Sequence, residues 1–149
     1  MERVQLEFPE VDIIHHHPLS VRIGDMNYGR HLGHDALITL LHEARAQAFV
    51  ALGFREWDVA GYPSVVADLA VQYRAEAKWP DMLEVETAIP SAEARGFCVY
   101  QRLHRPADKR TIAVARLNLV LLDPEAGKPV AVPSALNEAL DAVRQRRSD

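Results

Sequence analysis

Cysteine is nearly absent: Cys98 is the only one in 149 residues. A single thiol cannot close an internal disulfide, so the fold must rest on its core, and the composition suits a reducing compartment. No apolar run is long enough to cross a bilayer, and no N-terminal stretch has the pattern of a secretory signal. A basic surplus is also lacking. With 17 Lys and Arg against 21 Asp and Glu, the formal net charge is -4, which leaves nothing to neutralise a nucleic-acid backbone. Neither a Gly-rich phosphate loop nor a Gly-x-Ser-x-Gly elbow occurs. These absences argue against a disulfide scaffold, a nucleic-acid partner, a membrane partner, and P-loop or serine-hydrolase chemistry. They predict a cytoplasmic protein.

Apolar residues are plentiful: 48% of the chain is hydrophobic, enough for one domain over residues 1–149 with a sizeable core. The stretch from Val21 to Phe54, VRIGDMNYGRHLGHDALITLLHEARAQAFVALGF, organises it. It opens as a strand, turns through Gly, Asn and Tyr, and becomes a helix. Leu37, Leu40, Leu41, Ala44 and Ala48 recur at the helical period, and Gly53 stands where a left-handed cap would end it. The apolar content predicts a rod about 28 Å long, enclosed on most sides.

Residues 3–8 alternate weakly and predict a short edge strand. His15, His16 and His17 lead through Pro18 into a strand expected over Leu19–Gly24. Adjacent strand residues face opposite ways, so only His15 and His17 could share a metal. No carboxylate or Cys cluster lies near them in sequence, and no metal site is predicted. Beyond the helix, four alternating runs read as strands, around Val65–Tyr73, Leu83–Ile89, Phe97–Leu103 and Thr111–Leu122, joined as a consecutive antiparallel meander. A last helix starts with Ser134 as N-cap, passes through Leu136, Leu140 and Val143, and ends in a charged tail from Arg144 to Asp149. One early helix followed by a meander predicts an α+β sheet curled around the helix.

Chemistry concentrates at Asp25, between the first strand and the helix. The first amides of a helix lack intrahelical partners and carry positive partial charge, so they can hold a carbonyl oxygen gaining negative charge. A carboxylate opposite them could attack an acyl carbon or deprotonate a water. An Asp between a strand and a helix is very often a turn or capping residue. His31 and His34 carry the same two readings. Glu43, in mid-helix, is a second carboxylate, with an ion pair to a basic neighbour as its plainer role. Cys98 reads as a small core residue. Phe49, Phe54, Trp57 and Tyr62 could line a pocket or simply pack.

The run Val21-Arg-Ile-Gly-Asp-Met-Asn-Tyr-Gly-Arg-His-Leu-Gly-His34 resembles the opening motif of acyl-CoA thioesterases of the 4-hydroxybenzoyl-CoA thioesterase type, which have the hotdog fold. Val65 to Glu86, Arg95-Gly96-Phe97, and Leu119 to Pro133 resemble later landmarks of the same family in order. The resemblance implies a curved antiparallel sheet wrapped around one long central helix, with a C-terminal helix. It implies hydrolysis of an acyl-CoA or acyl-carrier thioester, with Asp25 as nucleophile or general base. Amides near Leu32 and Gly33 would polarise the thioester carbonyl, and Asn27, Arg30, His31 and His34 would join Leu32 and Gly33 in contacting substrate. CoA enters only as part of the substrate, without a separate cofactor, and a homodimer or homotetramer is implied. The chain departs from the pattern where Asn27 replaces an Asp, Arg30 a Gly, Gly33-His34 an Asn pair, and Leu37 a Tyr. Two alternatives stand beside hydrolysis: a non-catalytic acyl-CoA-binding module, and a hydratase or dehydratase of acyl thioesters.

Overall fold

The computed structural model describes residues 1–148. Strand β1 (Ile13–Ser20) lies at one edge of a sheet whose other strands are β2 (Ser64–Tyr73), β3 (Met82–Ala88), β4 (Phe97–Arg105) and β5 (Arg110–Leu122). Their spatial order is β1-β3-β4-β5-β2, every neighbouring pair is antiparallel, and a short β6 (Pro129–Val130) extends β5. β3, β4 and β5 form the expected meander, with β5 in mid-sheet. β2 does not join it. Residues 74–81 carry the chain from β2 at one edge to β3 on the far side of the sheet, so the turn at Pro80-Asp81 closes a crossover, not a hairpin.

Two strand predictions at the N-terminus are corrected. Residues 3–8 form no strand; Leu6 is buried, and its amide donates to Gln72 Oε1 of β2 at 3.0 Å. β1 begins at Ile13, includes the three histidines, and ends at Ser20. Pro18 does not interrupt it, because β1 pairs only with β3 and an edge strand tolerates a missing donor. Residues Ile23–Asp25 instead form a 3₁₀ turn.

The long helix α1 spans His34–Leu52, 19 residues, and Gly53 caps it at φ 90. Its buried residues Leu37, Leu40, Leu41, Ala44, Arg45, Ala48, Phe49 and Leu52 recur at three- and four-residue steps. They make one stripe, not an all-round apolar surface: His42, Glu43, Gln47 and Val50 face outward and are exposed. The expectation of a rod enclosed on most sides is therefore corrected to a helix laid along the inner face of the curved sheet.

The core has two clusters. One surrounds the C-terminal half of α1, where Phe49 meets Phe97 edge-on at 6.2 Å between ring centres, and includes Ile89, Leu119 and Leu121. The other lies under the N-terminal half, around Leu37, Leu41, Val85, Leu103 and Ile112. Buried Gln101 of β4 donates to the Leu41 carbonyl at 2.8 Å, a polar tie between sheet and helix. Helix α2 (Ser134–Ser148) closes the first cluster with Leu136, Leu140 and Val143, each worth about 1.5–3 kcal/mol of burial. Its charged end continues the helix as far as Ser148, and Asp149 lies outside the described residues. Arg144 donates to the Ile89 carbonyl at 2.6 Å, and Arg147 donates to the carbonyl of Ile13. Ser134 is the first helical residue, one position later than the N-cap role expected of it. No described helix is long and apolar enough to cross a membrane.

Candidate functional site

Asp25 closes the 3₁₀ turn that follows β1, and only 5% of it is exposed. Its carboxylate is the turn's own cap. Oδ2 accepts from the Arg22 amide at 2.9 Å and from Arg22 Nε at 3.1 Å, while Oδ1 accepts from Arg22 Nη2 at 3.0 Å. The Arg22 guanidinium thus holds the Asp25 carboxyl below the usual carboxylate range, against a smaller opposing effect of burial. The capping role foreseen for an Asp at this junction is what the structure contains. A carboxylate offers about four acceptor positions, so one on Oδ1 stays open.

The loop from residue 26 to residue 33 folds back on Asp25. Met26 and Leu32 form a bridge, and the Asn27 amide donates to the His31 carbonyl at 2.8 Å. Asn27 Oδ1 accepts from the amides of Gly29 (2.9 Å) and His31 (3.2 Å). The Asn that stands for an Asp therefore keeps the acceptor the loop requires. Arg30 adopts φ 66, a left-handed conformation costing a non-glycine residue about 1–2 kcal/mol. This explains the glycine of the family pattern at that position. Arg30 is exposed and forms no ion pair among the described residues.

The amides expected to polarise a carbonyl are already engaged. Leu32 N donates to Ala77 O at 2.7 Å, and Gly33 N donates to Asp25 O at 2.9 Å. Gly33 is the N-cap of α1 and supplies no side-chain cap. The amides of the next three residues, His34, Asp35 and Ala36 in the first turn of α1, have no backbone or side-chain acceptor among the described residues. The Asp25–Gly33 bond places residue 25 against this uncapped end.

Two clefts flank the turn. One, of about 340 Å³, is lined by Asn27, His31, Leu32 and His34, together with Tyr28, Leu37, Tyr73, Glu76 and Ile112. The other, of about 620 Å³, runs between β1 and α1 and is lined by Leu19, Arg22, Leu40, His42, Glu43 and Ala46 among others. Of the residues singled out in the sequence, Asn27, His31, Leu32 and His34 thus share one cleft. Asp25, Arg30 and Gly33 line neither, and Asp25 adjoins the larger one through Arg22. His31 Nε2 lies 3.0 Å from Glu76 Oε2, and the Tyr73 hydroxyl donates to the His34 carbonyl at 3.1 Å. Burial raises the Tyr73 hydroxyl's pKa, with nearby Asp35 adding to it.

Sequence reasoning overlooked Arg22, Tyr73 and Glu76 as members of the site. The three-residue step from Arg22 to Asp25 was the available signal. Glu43 accepts from the Gln47 side-chain Nε2 at 3.2 Å, not from a basic neighbour. The nearby base, Arg45, instead meets Glu56 at 3.2 Å. Phe49, Phe54 and Tyr62 belong to the core and Trp57 is 71% exposed, so none of these aromatics lines either cleft. Cys98 is half-buried, not a core residue, and its thiol donates to Asn118 Oδ1 at 2.8 Å.

Comparison with known proteins places these features among a family, its relatives and solved structures. The model of the thioesterase-like superfamily matches residues 21–140. An L-carnitine dehydrogenase/betainyl-CoA thioesterase of Agrobacterium fabrum is 26% identical over 143 residues, covering 93% of this chain and 28% of that protein. The chain thus spans less than a third of that relative's length. The acyl-CoA thioester hydrolase YbgC of Escherichia coli O157:H7 is 26% identical over 121 residues, 80% of this chain and 90% of that one. Among solved structures, Slr0204, a 1,4-dihydroxy-2-naphthoyl-CoA thioesterase from Synechocystis, superposes with a TM-score of 0.76 at 17% identity, covering 85% of this chain and 94% of that one. A mutant 4-hydroxybenzoyl CoA thioesterase complexed with 4-hydroxybenzoyl CoA gives 0.74 at 18%, covering 84% and 96%. At these identities the structural likenesses speak for the fold, which is the hotdog arrangement of curved sheet and long helix.

Proposed function

The chain belongs to the thioesterase-like superfamily, and from that premise we propose that it hydrolyses an acyl-CoA thioester to a free acid and CoA. Asp25 acts as nucleophile or general base through the open acceptor position on Oδ1. Its suppressed pKa keeps it ionised at neutral pH, as either role requires. The amides of His34, Asp35 and Ala36 receive the developing oxyanion. They take the place of the Leu32 and Gly33 amides, whose hydrogens are engaged. The acyl group lies in the cleft between β1 and α1, and the thiol carrier passes over the loop cleft of Asn27, His31, Leu32 and His34. Arg30 meets a phosphate of CoA or an acidic acyl group. Positioning and charge stabilisation suffice for a thioester, so the reaction uses water and no resident cofactor.

A homodimer joined along β2 fits this reading. β2 has ten residues, no strand on its outer side, and exposed Val65, Val66, Leu69 and Tyr73. A long apolar edge of that kind calls for pairing or cover. A cytoplasmic location fits the acyl-CoA substrate.

The observation that carries the proposal is a buried, ionised carboxylate at the foot of an uncapped helix within the family's matched span. The grip of Arg22 on that carboxylate favours a second reading, an acyl-CoA-binding module without turnover. Thiol release from a panel of acyl-CoAs, measured with native protein and Asp25→Asn, separates the two. Release by native protein and its near-loss in the variant is the expected result. Equal binding with no release by either protein would leave the binding module.

A further inference from the structure

On the face of the sheet turned away from α1, three strands bring four metal-ligating side chains together. His16 projects to that face because His15 and His17 point the other way; those two stack on each other with ring centres 6.2 Å apart. Glu84 and Glu86 lie two residues apart on β3 and share the face. In the ladders His16 is opposite Glu86, and His104 of β4 is opposite Glu84. The carboxylates that the sequence around the histidines lacked are therefore supplied by the neighbouring strand.

The distances are short. His16 Nδ1 lies 3.0 Å from Glu84 Oε1, and His104 Nε2 lies 3.1 Å from the same oxygen and 3.5 Å from Glu86 Oε1. One ligand atom each of His16, Glu84 and Glu86 lies within 4.8 Å of the others. Two imidazole nitrogens aimed at one carboxylate oxygen must each carry a hydrogen there, and each hydrogen stands where a metal bond could replace it. Zinc bonds to nitrogen and oxygen of about 2.0–2.2 Å separate tetrahedral ligand atoms by about 3.3–3.6 Å. The two contacts to Glu84 Oε1, at 3.0 and 3.1 Å, need only a slight spreading to reach that.

We propose that His16, Glu84 and Glu86, with His104 as fourth ligand, form a binding site for a divalent transition-metal cation of the zinc class. Imidazole together with carboxylate selects zinc and its neighbours over magnesium or calcium. Glu86 is buried and anchored by Arg102, whose Nε meets its Oε1 at 2.8 Å; its second oxygen is left for the metal. Arg102 is fixed in turn by Glu10 at 2.7 Å and by the ring of Phe8 at 4.5 Å. With neutral histidines, two carboxylates and one guanidinium leave one negative charge for the cation. None of the four ligands lines the clefts beside Asp25. The bound ion would fasten edge strand β1 to β3 and β4.

Calorimetric titration of the untagged chain with Zn2+ tests the assignment. One site per chain is expected, weakened by about 10-fold or more in both His16→Ala and Glu84→Gln and unchanged in His15→Ala. His16 is exposed, so its removal leaves the fold intact, and circular dichroism checks Glu84→Gln. Thermal unfolding should shift upward with Zn2+ in the native protein and fail to do so in His16→Ala. Absence of binding at millimolar Zn2+, or binding that survives both substitutions or depends on His15, would overturn the proposal and leave the cluster as an ion-pair network.

Discussion

Asp25 accepts three hydrogen bonds from one neighbour, the main chain and guanidinium of Arg22. The same contacts that hold the carboxylate ionised also occupy most of its lone pairs. If Asp25 attacks or deprotonates, its replacement by Asn should lower kcat/KM by about 10²–10⁴-fold, with binding of the acyl-CoA retained. Arg22→Gln should move the acid limb of the pH–rate profile to higher pH, since the guanidinium is the main cause of the suppressed pKa. Stability follows the same sign. A carboxylate whose folded-state pKa is depressed contributes fully above its unfolded value of about 3.9, and the contribution fades as pH falls through the lower folded value. The difference in melting temperature between native protein and Asp25→Asn should therefore narrow in acid. At Arg30, where the backbone already has a glycine-like φ of 66, Arg30→Gly removes the cation without reshaping the loop. Steady-state kinetics should show a raised KM for acyl-CoA and little change in kcat.

Elements differ in how much of their placement is local. α1 was legible because its apolar stripe and terminal glycine lie within one segment, and Leu37 to Gly53 behave as their spacing predicts. Alternation in β3, β4 and β5 was legible for the same reason. The position of β2 was not, because its partner β5 is encoded about fifty residues away and nothing in Val65–Tyr73 names it. The start of β1 was hidden by a proline that an edge strand can absorb. Asp25 and its cap were legible as two readings, but the partner that satisfies the cap was missed. Gly96 shows a motif whose reason appears only in three dimensions. A Cβ there would stand 2.6 Å from the Leu119 carbonyl oxygen, a backbone atom that cannot turn aside. Gly96→Ala should therefore push the start of β4 off β5 and cost about 1–3 kcal/mol, measurable by chemical denaturation.

For the whole molecule, the sheet has two unequal borders. β1 is short, carries Pro18 and exposed His16, and is thus poorly suited to further pairing. β2 is longer and bears Val66 and Leu69, 46% and 40% exposed. If two copies meet along β2, Leu69→Lys should shift the mass measured by light scattering from dimer to monomer, while circular dichroism stays native-like. A mass unchanged by the substitution would remove β2 as the seam between copies.

The crossing from β2 to β3 touches the loop it passes. Ala77 O receives the Leu32 amide, Asp81 O receives the Val21 amide, and the Trp79 amide reaches Met26 Sδ. With the contact of His31 to Glu76, the segment on which Asp25 rides is laced at four points to a strip of chain that contributes no reacting group. The length of that strip acts as a ruler for the site. Adding or deleting one residue between Arg74 and Asp81 would reset where the carboxylate stands relative to α1, with every residue of the opening motif left unaltered.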